Sequence, residues 1–309
     1  MTFDGSRAMT RVSVIVPSYG RPESVLRCVN SVAKSDPRPA GGVELVVVCA
    51  GYSGEVLAPL RSAVEGTGVE LEIVDLPDPV PTSVSRNIGV WAATGTIVFF
   101  VDDDNVLSPG CVYAMWQALT EWKDCCVAAP VMYWGSEPDR IWCAGLERSP
   151  VLLRTRWRTA LPVPVPERLS SPDFPNAFAV RTRDFLSVGG FDGLVFPQFY
   201  EEADLIARLK ALTTQSAFCV TSAATWHHIG KEPHRRFHLT TVPSAYRLAL
   251  NRKAFIARHG RRGQRLVELL LGRWLYLIVY LLAARTVPRP DRGAIRRAYV
   301  RGLLTPTRR

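Results

Sequence analysis

The sequence lacks any Cys-x-x-Cys pair, and it has no internal repeat and no low-complexity segment. Its seven cysteines are an odd number, with Cys125 and Cys126 adjacent and the others scattered among apolar residues. This pattern predicts buried, reduced thiols, as in a cytosolic protein, rather than a disulfide framework. The segment from Met1 to Thr10 lacks the apolar core of a signal peptide, so we expect a cytoplasmic protein.

Acidic residues are scarce at the C-terminal end, where only Glu268 and Asp291 follow Tyr246. The segment 246–309 holds 16 Lys and Arg, a net charge of +14, whereas residues 1–245 hold 22 basic and 26 acidic residues, a net charge of −4. The formal charge of +10 therefore belongs to the tail, and no nucleic acid partner is expected for this protein. A hydrophobic fraction of 47% over 309 residues indicates a globular protein with a sizeable core.

Apolar runs alternate with helix-like segments through the first hundred residues. This alternation predicts parallel strands joined by helices, which is typical of an α/β nucleotide-binding unit. The predicted strands are Val12–Val16, Val43–Cys49, Val69–Val74 and Thr96–Val101, and the helices between them begin at Pro22, Glu55 and Thr82.

The last of these strands runs directly into Asp102, Asp103 and Asp104. Ligands of open α/β sheets gather just outside the carboxyl ends of such strands. Three adjacent carboxylates repel one another unless a cation compensates them, and a divalent ion that also contacts a diphosphate would do so. The alternative for an isolated Asp-Asp-Asp is a solvated acidic turn that caps the next helix.

The following hundred residues continue the alternation less regularly. A Pro-rich stretch, 150–175, has little periodicity and is predicted to be a long loop that crosses the site. The other predicted elements are helices at Ser108–Leu119, Arg183–Val188 and Glu201–Leu212 and strands at Cys125–Tyr133, Ala177–Val180 and Ala217–Thr221, the last followed by Trp226-His227-His228.

Six short motifs, in this order and spacing, resemble the family 2 glycosyltransferases over roughly residues 11–230. They are Val14-Ile15-Val16-Pro17-Ser18-Tyr19-Gly20-Arg21, Ser85-Arg86-Asn87-Ile88-Gly89 with Ala93-Thr94-Gly95, Phe100-Val101-Asp102-Asp103-Asp104, Val188-Gly189-Gly190-Phe191-Asp192, Tyr200-Glu201-Glu202-Ala203-Asp204-Leu205 and Trp226-His227-His228. The resemblance implies a GT-A fold, in which helices flank a Rossmann-like mixed sheet, here with a C-terminal helical extension. It also implies a nucleoside-diphosphate sugar donor and a divalent metal, Mn²⁺ or Mg²⁺.

The resemblance further implies a division of labour along the chain. Residues 11–105 would form the nucleotide-sugar-binding half, and residues 106–230 the acceptor-binding and catalytic half. Residues 231–309 would form a basic and apolar helical tail. On the donor side, the turn with Pro17, Ser18, Tyr19 and Arg21 would hold the nucleotide base. Arg86 would face the donor's phosphates or base, and Asp102 would contact the ribose or base. Asp103, also placed with the donor site, is expected to point to the other side of the strand.

The acidic pair at the head of a helix is the family's position for the catalytic base. Here the pair is Glu201-Glu202, and Glu202 matches the usual catalytic Asp, with Glu201 as the alternative. Asp204 would be an accessory acid near the acceptor or part of the same polar network. Asp104 is the implied metal ligand, and His227, with His228 beside it, is the candidate for a further metal or diphosphate contact. Two acids at a helix N-terminus are also favoured by the helix dipole alone.

One departure from the family's pattern concerns the nucleotide base. The family's second strand commonly ends in Asp-Asp-Gly-Ser, whereas this sequence has Cys49-Ala50-Gly51-Tyr52-Ser53, with no acid. Uracil specificity is therefore not implied, and thymidine, guanosine or another donor base stays open. Asp75, at the end of the third strand, is the candidate replacement for the absent acid.

The tail predicts a basic helix, Tyr246–Arg262, followed by an apolar one, Arg265–Arg285. The 19 residues Leu266–Ala284 are interrupted only by Glu268, Gly272 and Arg273. Charges inside a membrane span are costly, so a helix that lies on an anionic membrane surface is favoured over a span or an internal packing helix. The expected function is thus inverting sugar transfer to a lipid-linked or cell-envelope glycan at the inner membrane face. The alternatives are transfer to a polyisoprenyl phosphate and a catalytically silent, scaffolding relative.

Overall fold

A mixed sheet runs through the first three quarters of the chain in the computed structural model, which describes residues 10–52, 57–151, 155–228, 241–283 and 289–307. In these residues the strands are β1 Val12–Tyr19, β2 Val43–Ala50, β3 Glu70–Leu76, β4 Ile97–Val101, β5 Asn105–Leu107, β6 Cys125–Trp134, β7 Glu137–Cys143, β8 Leu146–Arg148, β9 Thr155–Trp157, β10 Arg168–Ser171, β11 Ala177–Arg181 and β12 Ser216–His227. The helices are α1 Pro22–Ala33, α2 Leu57–Val64, α3 Thr82–Ala92, α4 Cys111–Glu121, α5 Thr182–Ser187, α6 Glu201–Thr213, α7 Val242–His259, α8 Arg262–Val267, α9 Arg273–Ala283 and α10 Arg289–Leu304.

The order of strands brings both halves of the chain into one sheet. Its order is β10-β12-β6-β11-β4-β1-β2-β3, with β5 paired to β12 and β7 paired to β6. The first four strands are parallel, whereas β11 runs antiparallel between β4 and β6. The carboxyl end of β4 therefore lies at the centre of the sheet. This mixed α/β architecture confirms the predicted fold class.

Buried strands form the core because their side chains are apolar on both faces. Every residue of β2 and β4 is buried, and separate apolar clusters lie on the two sides of the sheet. One buried acid is satisfied locally, since Glu44 on β2 accepts hydrogen bonds from Ser13 and from Thr94. Gly95 is required next to this contact, because a Cβ there would lie 2.7 Å from the backbone nitrogen of Ser13.

The predicted strands and helices of the first half are present, with shifted ends. β1 continues through Pro17 to Tyr19, past the expected turn. A proline is tolerated there because β4 pairs with β1 only from Val12 to Ile15, which leaves one side of Pro17 without a ladder partner. The expected start of the second helix at Glu55 lies outside the described residues, and α2 is described from Leu57.

The prediction of a structureless loop over residues 150–175 is wrong in part. That stretch contains β9, which pairs with β8, and β10, which pairs with β12. β12 is also longer than predicted and extends to His227, in parallel with β6. This extension brings the His-His motif beside the carboxyl end of β4.

The C-terminal helices pack against α6 and against each other. The helix from Arg262 to Ala283 is continuous, with a π-helical turn at Glu268–Gly272 between α8 and α9. Arg252 on α7 pairs with Glu268, and the ring of Tyr280 stacks on Tyr299 of α10 at 3.8 Å. Among the described residues, no helix has the length and apolar character needed to cross a membrane.

The seven cysteines are all buried and have free thiols, which confirms the prediction of reduced thiols. Burial raises the pKa of each of these thiols above its ordinary value. They are therefore poor nucleophiles at neutral pH.

Candidate active site

The three carboxylates after β4 diverge toward three different partners. Because the strand ends at Val101, Asp102–Asp104 lie in a turn, and the alternation of a strand no longer fixes their directions. Asp102 bonds to Arg86, Asp103 accepts a hydrogen bond from Ser18 at 2.5 Å, and Asp104 accepts one from Arg21 at 2.7 Å. The acidic turn thereby joins β1, β4 and α3.

Asp103 is the most buried of the three acids, and it faces β1. Its carboxylate also pairs with the guanidinium of Arg21. Burial raises the pKa of Asp103 to about 7, although the charge of Arg21 and the hydrogen bond from Ser18 oppose the shift. Asp103 therefore fixes the segment Pro17–Arg21, and its place in the donor site stays a prediction.

Arg86 joins the two acidic clusters of the sequence. It lies on α3, is 1% exposed, and donates to Asp102 at 2.7 Å and to Glu202 at 2.8 Å. Burial opposes its charge, but Asp102 and Glu202 raise the pKa of Arg86 above its ordinary value, so it stays protonated. Among the described residues, the side chain of Arg86 pairs with these two carboxylates. Its contact with the donor's phosphates or base stays a prediction.

Glu201 and Glu202 begin α6, as the sequence predicted. Tyr200, the residue before the pair, has a left-handed backbone conformation with φ 67°, which turns the chain sharply into the helix. Glu202 points toward Arg86, while Glu201 is buried and its Oε2 has no hydrogen-bond partner among the described residues. Burial raises the pKa of Glu201 and of Glu202, and in Glu202 the positive charge of Arg86 opposes that shift.

Asp204 belongs to a different network. It is fully buried, and its carboxylate bonds to Arg208 at 2.9 Å, to Arg258 at 3.0 Å and to His259 at 2.8 Å. Burial alone would raise the pKa of Asp204, but His259 and the two arginines hold it below its usual value. These contacts join α6 to α7, and the structure does not bring Asp204 to Arg86 and Glu202.

His227 lies beside Asp104 at the end of β12. Its Nε2 is 3.3 Å from Asp104 Oδ1 and 3.0 Å from the side-chain nitrogen of Asn176. Its Nδ1 is buried and has no partner among the residues that the structure describes. Burial opposes ionisation of Asp104, but His227 and Arg21 hold the pKa of Asp104 below its usual value.

His228 contacts Asp104 through the backbone of both residues. Its N–H donates to the carbonyl oxygen of Asp104 at 2.7 Å. Burial lowers the pKa of its ring, as do the nearby charges of Arg27 and His227. The ring packs on Gly135, where a Cβ would lie 2.5 Å from it, so this position has no room for a larger residue.

The described residues contain no preassembled cluster of three or more His, Cys, Asp or Glu side chains for a metal. Asp104 and His227 nevertheless fit a divalent ion, because a carboxylate oxygen and an imidazole nitrogen, both ligands of such ions in proteins, lie 3.3 Å apart. Two protein ligands are typical where a substrate phosphate completes the coordination of the ion.

The predicted base-binding segment lies at the carboxyl end of β1. Tyr19 is 59% exposed there, while Ser18 bonds to the hydroxyl of Tyr52 at 2.6 Å. The backbone N–H of Arg21 also donates to that hydroxyl, at 2.9 Å. Asp75 is exposed at the end of β3, opposite Cys49 in register, on the far side of β2 from β1. Its contact with the base stays a prediction.

Sequence reasoning missed Tyr52 and Asn176 as site residues. Tyr52 follows Gly51, at a position where the family's pattern has a polar residue. Only the hydrogen bonds of its hydroxyl group, to Ser18 and to the backbone of Arg21, show that it supports the segment Ser18–Arg21. Asn176 has a positive φ of 57°, a conformation that asparagine tolerates better than most residues. Its position directly before a buried strand was the available signal.

Solved structures with a similar fold are glycosyltransferases. A mannosyltransferase, PcManGT from Pyrobaculum calidifontis, in complex with GDP-Man and Mn²⁺, aligns with a TM-score of 0.57 and 16% identity, over 93% of this chain and 74% of that one. GalNAc-T7 with UDP, GalNAc and Mn²⁺ aligns with a TM-score of 0.61 and 12% identity, over 88% of this chain and 57% of that one. At these identities the likeness shows the GT-A fold.

The family follows from the sequence itself. Residues 13–165 match the family model described as Glycosyl transferase family 2. This part of the chain belongs to that family, and the protein is a glycosyltransferase. A comparison with curated proteins gave no match.

Proposed function

We propose that this protein is an inverting, metal-dependent glycosyltransferase. It transfers a sugar from a nucleoside-diphosphate donor to a hydroxyl group of a lipid-linked or cell-envelope glycan. The bridge that Arg86 makes between Asp102 and Glu202 supports this proposal most directly. One guanidinium links the acid predicted to contact the donor with the predicted base, so the donor and the acceptor hydroxyl would bind next to each other beside this bridge.

Asp104 and His227 would hold the divalent metal, Mn²⁺ or Mg²⁺, together with the donor's diphosphate. When bound, the metal supplies positive charge that stabilises the leaving nucleoside diphosphate. Both solved relatives described above contain Mn²⁺ with a nucleotide or nucleotide-sugar, which favours the same cofactor here.

Glu202 is the proposed general base. Its carboxylate takes the proton from the acceptor hydroxyl as the oxygen bonds to the anomeric carbon, while the bond between that carbon and the diphosphate breaks. A raised pKa suits this role, because it increases the affinity of the carboxylate for the proton that it must accept. A single displacement of this kind inverts the anomeric configuration.

The proposal that the acceptor lies at a membrane rests on the apolar residues that the tail exposes to solvent. Large apolar side chains are exposed along the helix from Arg262 to Ala283, although a globular domain normally buries such a face. They are Leu266, Leu269, Leu270, Leu271, Trp274, Leu275, Ile278, Val279 and Leu282, here called the apolar face. Arg261, Arg262 and Arg265 are exposed at the start of the same helix, which fits an anionic lipid surface.

A cavity beside α8 favours a lipid-linked glycan over a bare polyisoprenyl phosphate. It has a volume of about 930 Å³, mixes apolar walls with the cationic side chains of Arg148, Lys210 and Arg261, and would suit a lipid phosphate. Lys210 lies eight residues after Glu202 on α6, which corresponds to roughly 12 Å along the helix. A phosphate held there leaves room for sugar between itself and the base.

Thermal unfolding with a panel of nucleotide-sugars tests the donor class. UDP-, GDP- and dTDP-linked sugars should be compared with and without Mn²⁺. We expect one base to raise the unfolding temperature only when Mn²⁺ is present, because Asp104 and His227 alone are an incomplete metal site. No stabilisation by any nucleotide-sugar with Mn²⁺ would favour a silent scaffolding protein instead.

A further inference from the structure

Three tryptophans form a surface beside the proposed metal site, here called the tryptophan wall. The wall consists of Trp134 at the end of β6, Trp142 on β7 and Trp157 on β9. The ring of Trp142 lies 4.6 Å from Trp157 and 6.3 Å from Trp134, measured between centroids. The ring of Trp142 also lies 4.3 Å from the ring of His227.

The wall is buried on one side, where Trp142 packs on the core, and open to solvent at Trp157. Trp157 is 42% exposed, and Trp134 and Trp142 are partly exposed. Among the residues that the structure describes, no hydrogen bond occupies the indole N–H of Trp157. The exposed indole of Trp157 therefore offers a ligand both a flat apolar face and a hydrogen-bond donor.

The position of the wall separates it from the nucleotide. The predicted base-binding segment follows β1, whereas His227 ends β12, and β4, β11 and β6 lie between these two strands in the sheet. The wall belongs to β6, to β7 beside it and to β9 of the separate two-stranded sheet, and Trp142 contacts His227, so the wall lies on the His227 side of Asp104. A molecule that contacts Trp142 and Trp157 would therefore approach the metal site from the side opposite the base.

We propose that the tryptophan wall is the binding site for a sugar ring of the acceptor. A pyranose has a face of C–H groups and a rim of hydroxyls, so it can lie against an indole while a hydroxyl oxygen accepts a hydrogen bond from the N–H of Trp157. This inference rests on the proposed function, and it names the acceptor's sugar, rather than its lipid, as the part recognised here. Trp157, at the exposed end of the wall, supplies the contact surface, and Trp142 connects it to His227.

Titration of intrinsic fluorescence with soluble sugars tests the wall. The full-length protein, with Mn²⁺ and UDP, GDP or dTDP, is titrated with methyl α-mannoside, methyl β-glucoside and methyl β-galactoside. Trp157→Ala should weaken binding of the responsive glycoside about tenfold, since most of the apolar contact is lost. Trp157→Phe should restore most of it. Trp91→Ala removes an indole that is 75% exposed on α3, and it should bind like the wild type.

Two outcomes would overturn the inference. One is that no glycoside changes the fluorescence although a nucleoside diphosphate with Mn²⁺ stabilises the protein against heat. The other is that Trp157→Ala binds the glycoside as tightly as Trp91→Ala does. If the nucleoside diphosphate itself gives no stabilisation in the wild type, the proposed function fails, and this result is separate from both.

Discussion

Arg86 connects two acidic motifs that lie far apart in the sequence. Its guanidinium is buried between Asp102 and Glu202, which lie 16 and 116 residues away in sequence. A buried cation with two carboxylates keeps at least one of them ionised, because removing both charges would leave Arg86 unpaired. Glu202 is therefore held in place and electrostatically balanced before any substrate binds.

Replacing Glu202 with glutamine tests the base. Glu202→Gln keeps the shape of the side chain but removes the proton acceptor, so turnover should fall by on the order of 10²–10⁴-fold. Donor affinity should change little, since Asp102 and Asp104 remain. Steady-state rates and donor titration measure the two effects. Glu201→Gln is the matched control, and a larger loss in Glu201→Gln than in Glu202→Gln would assign the base to Glu201.

The pH dependence of the rate follows from the raised pKa of Glu202. The base works only when ionised, so the rate should fall on the acidic side as pH drops through that pKa. Because burial raises the pKa, this limb should lie above the ordinary range of a glutamate, although Arg86 limits the shift. A pH profile of kcat/KM checks it. An acidic limb at the ordinary glutamate position would contradict the environment assigned to Glu202.

At the scale of elements, Asp204 connects α6 with α7 through its cationic partners. Asp204→Asn leaves Arg208, Arg258 and His259 without their carboxylate, so unfolding free energy should drop by about 3–5 kcal/mol. The lowered pKa of Asp204 means that its stabilisation is present above the ordinary aspartate pKa and is lost as pH falls through the folded-state value. Denaturant unfolding at pH 7 and at acidic pH measures both effects.

Asp192→Asn is the control for this change. Asp192 pairs with Arg258 at 2.8 Å but is partly exposed, so its loss should cost less than about 1 kcal/mol. The two variants also separate structure from catalysis. A folded Asp204→Asn protein of normal stability that has lost turnover would show that Asp204 acts on the acceptor, as the sequence motif suggested.

The apolar face of the C-terminal helix predicts membrane binding that salt weakens only in part. The apolar side chains enter the acyl boundary, and each arginine near an anionic surface adds roughly 1 kcal/mol. Screening acts only on the electrostatic part. A triple variant, Leu271→Ser, Trp274→Ser and Ile278→Ser, should lose most of its flotation with phosphatidylserine-containing vesicles.

The control for the membrane experiment changes exposed apolar residues elsewhere. Val163→Ser, Leu194→Ser and Leu212→Ser alter apolar side chains outside the tail that are 94%, 80% and 52% exposed, and this variant should float like the wild type. Point changes are preferable to truncation, because α10 packs on α7 around Ala245 and Ala249 and its removal would uncover them. If the two triple variants floated equally well, the apolar face would not be the part of the protein that binds membranes.

At the scale of the whole molecule, the sequence predicted the strands that are apolar over their full length, and with them the acidic turn at the centre of the sheet. It did not predict β7, whose Glu-Pro-Asp-Arg start is polar and contains a proline. Such a sequence suits a strand that pairs with β6 alone. α10 was missed because arginines and a glycine interrupt its apolar positions.

The contacts between motifs could not be predicted from the sequence, for a different reason. Local patterns place Asp104 and His227 at the ends of strands, but only the order of strands in the sheet brings them within 3.3 Å. The same limit applies to Asp204, whose partners Arg258 and His259 come from α7. Its place in the acidic motif suggested catalysis, whereas its contacts are those of a helix connection.

Metal-dependent hydrolysis of a nucleotide-sugar is the most direct test of the proposed function. UDP-, GDP- and dTDP-sugars should be incubated with the wild type and with Asp104→Ala, each with Mn²⁺ and with chelator. We predict that at least one donor is hydrolysed by the wild type with Mn²⁺, and that chelator or Asp104→Ala abolishes this while the unfolding temperature stays near that of the wild type. Hydrolysis that persists with chelator or in Asp104→Ala, or no hydrolysis of any donor with Mn²⁺, would contradict the proposal.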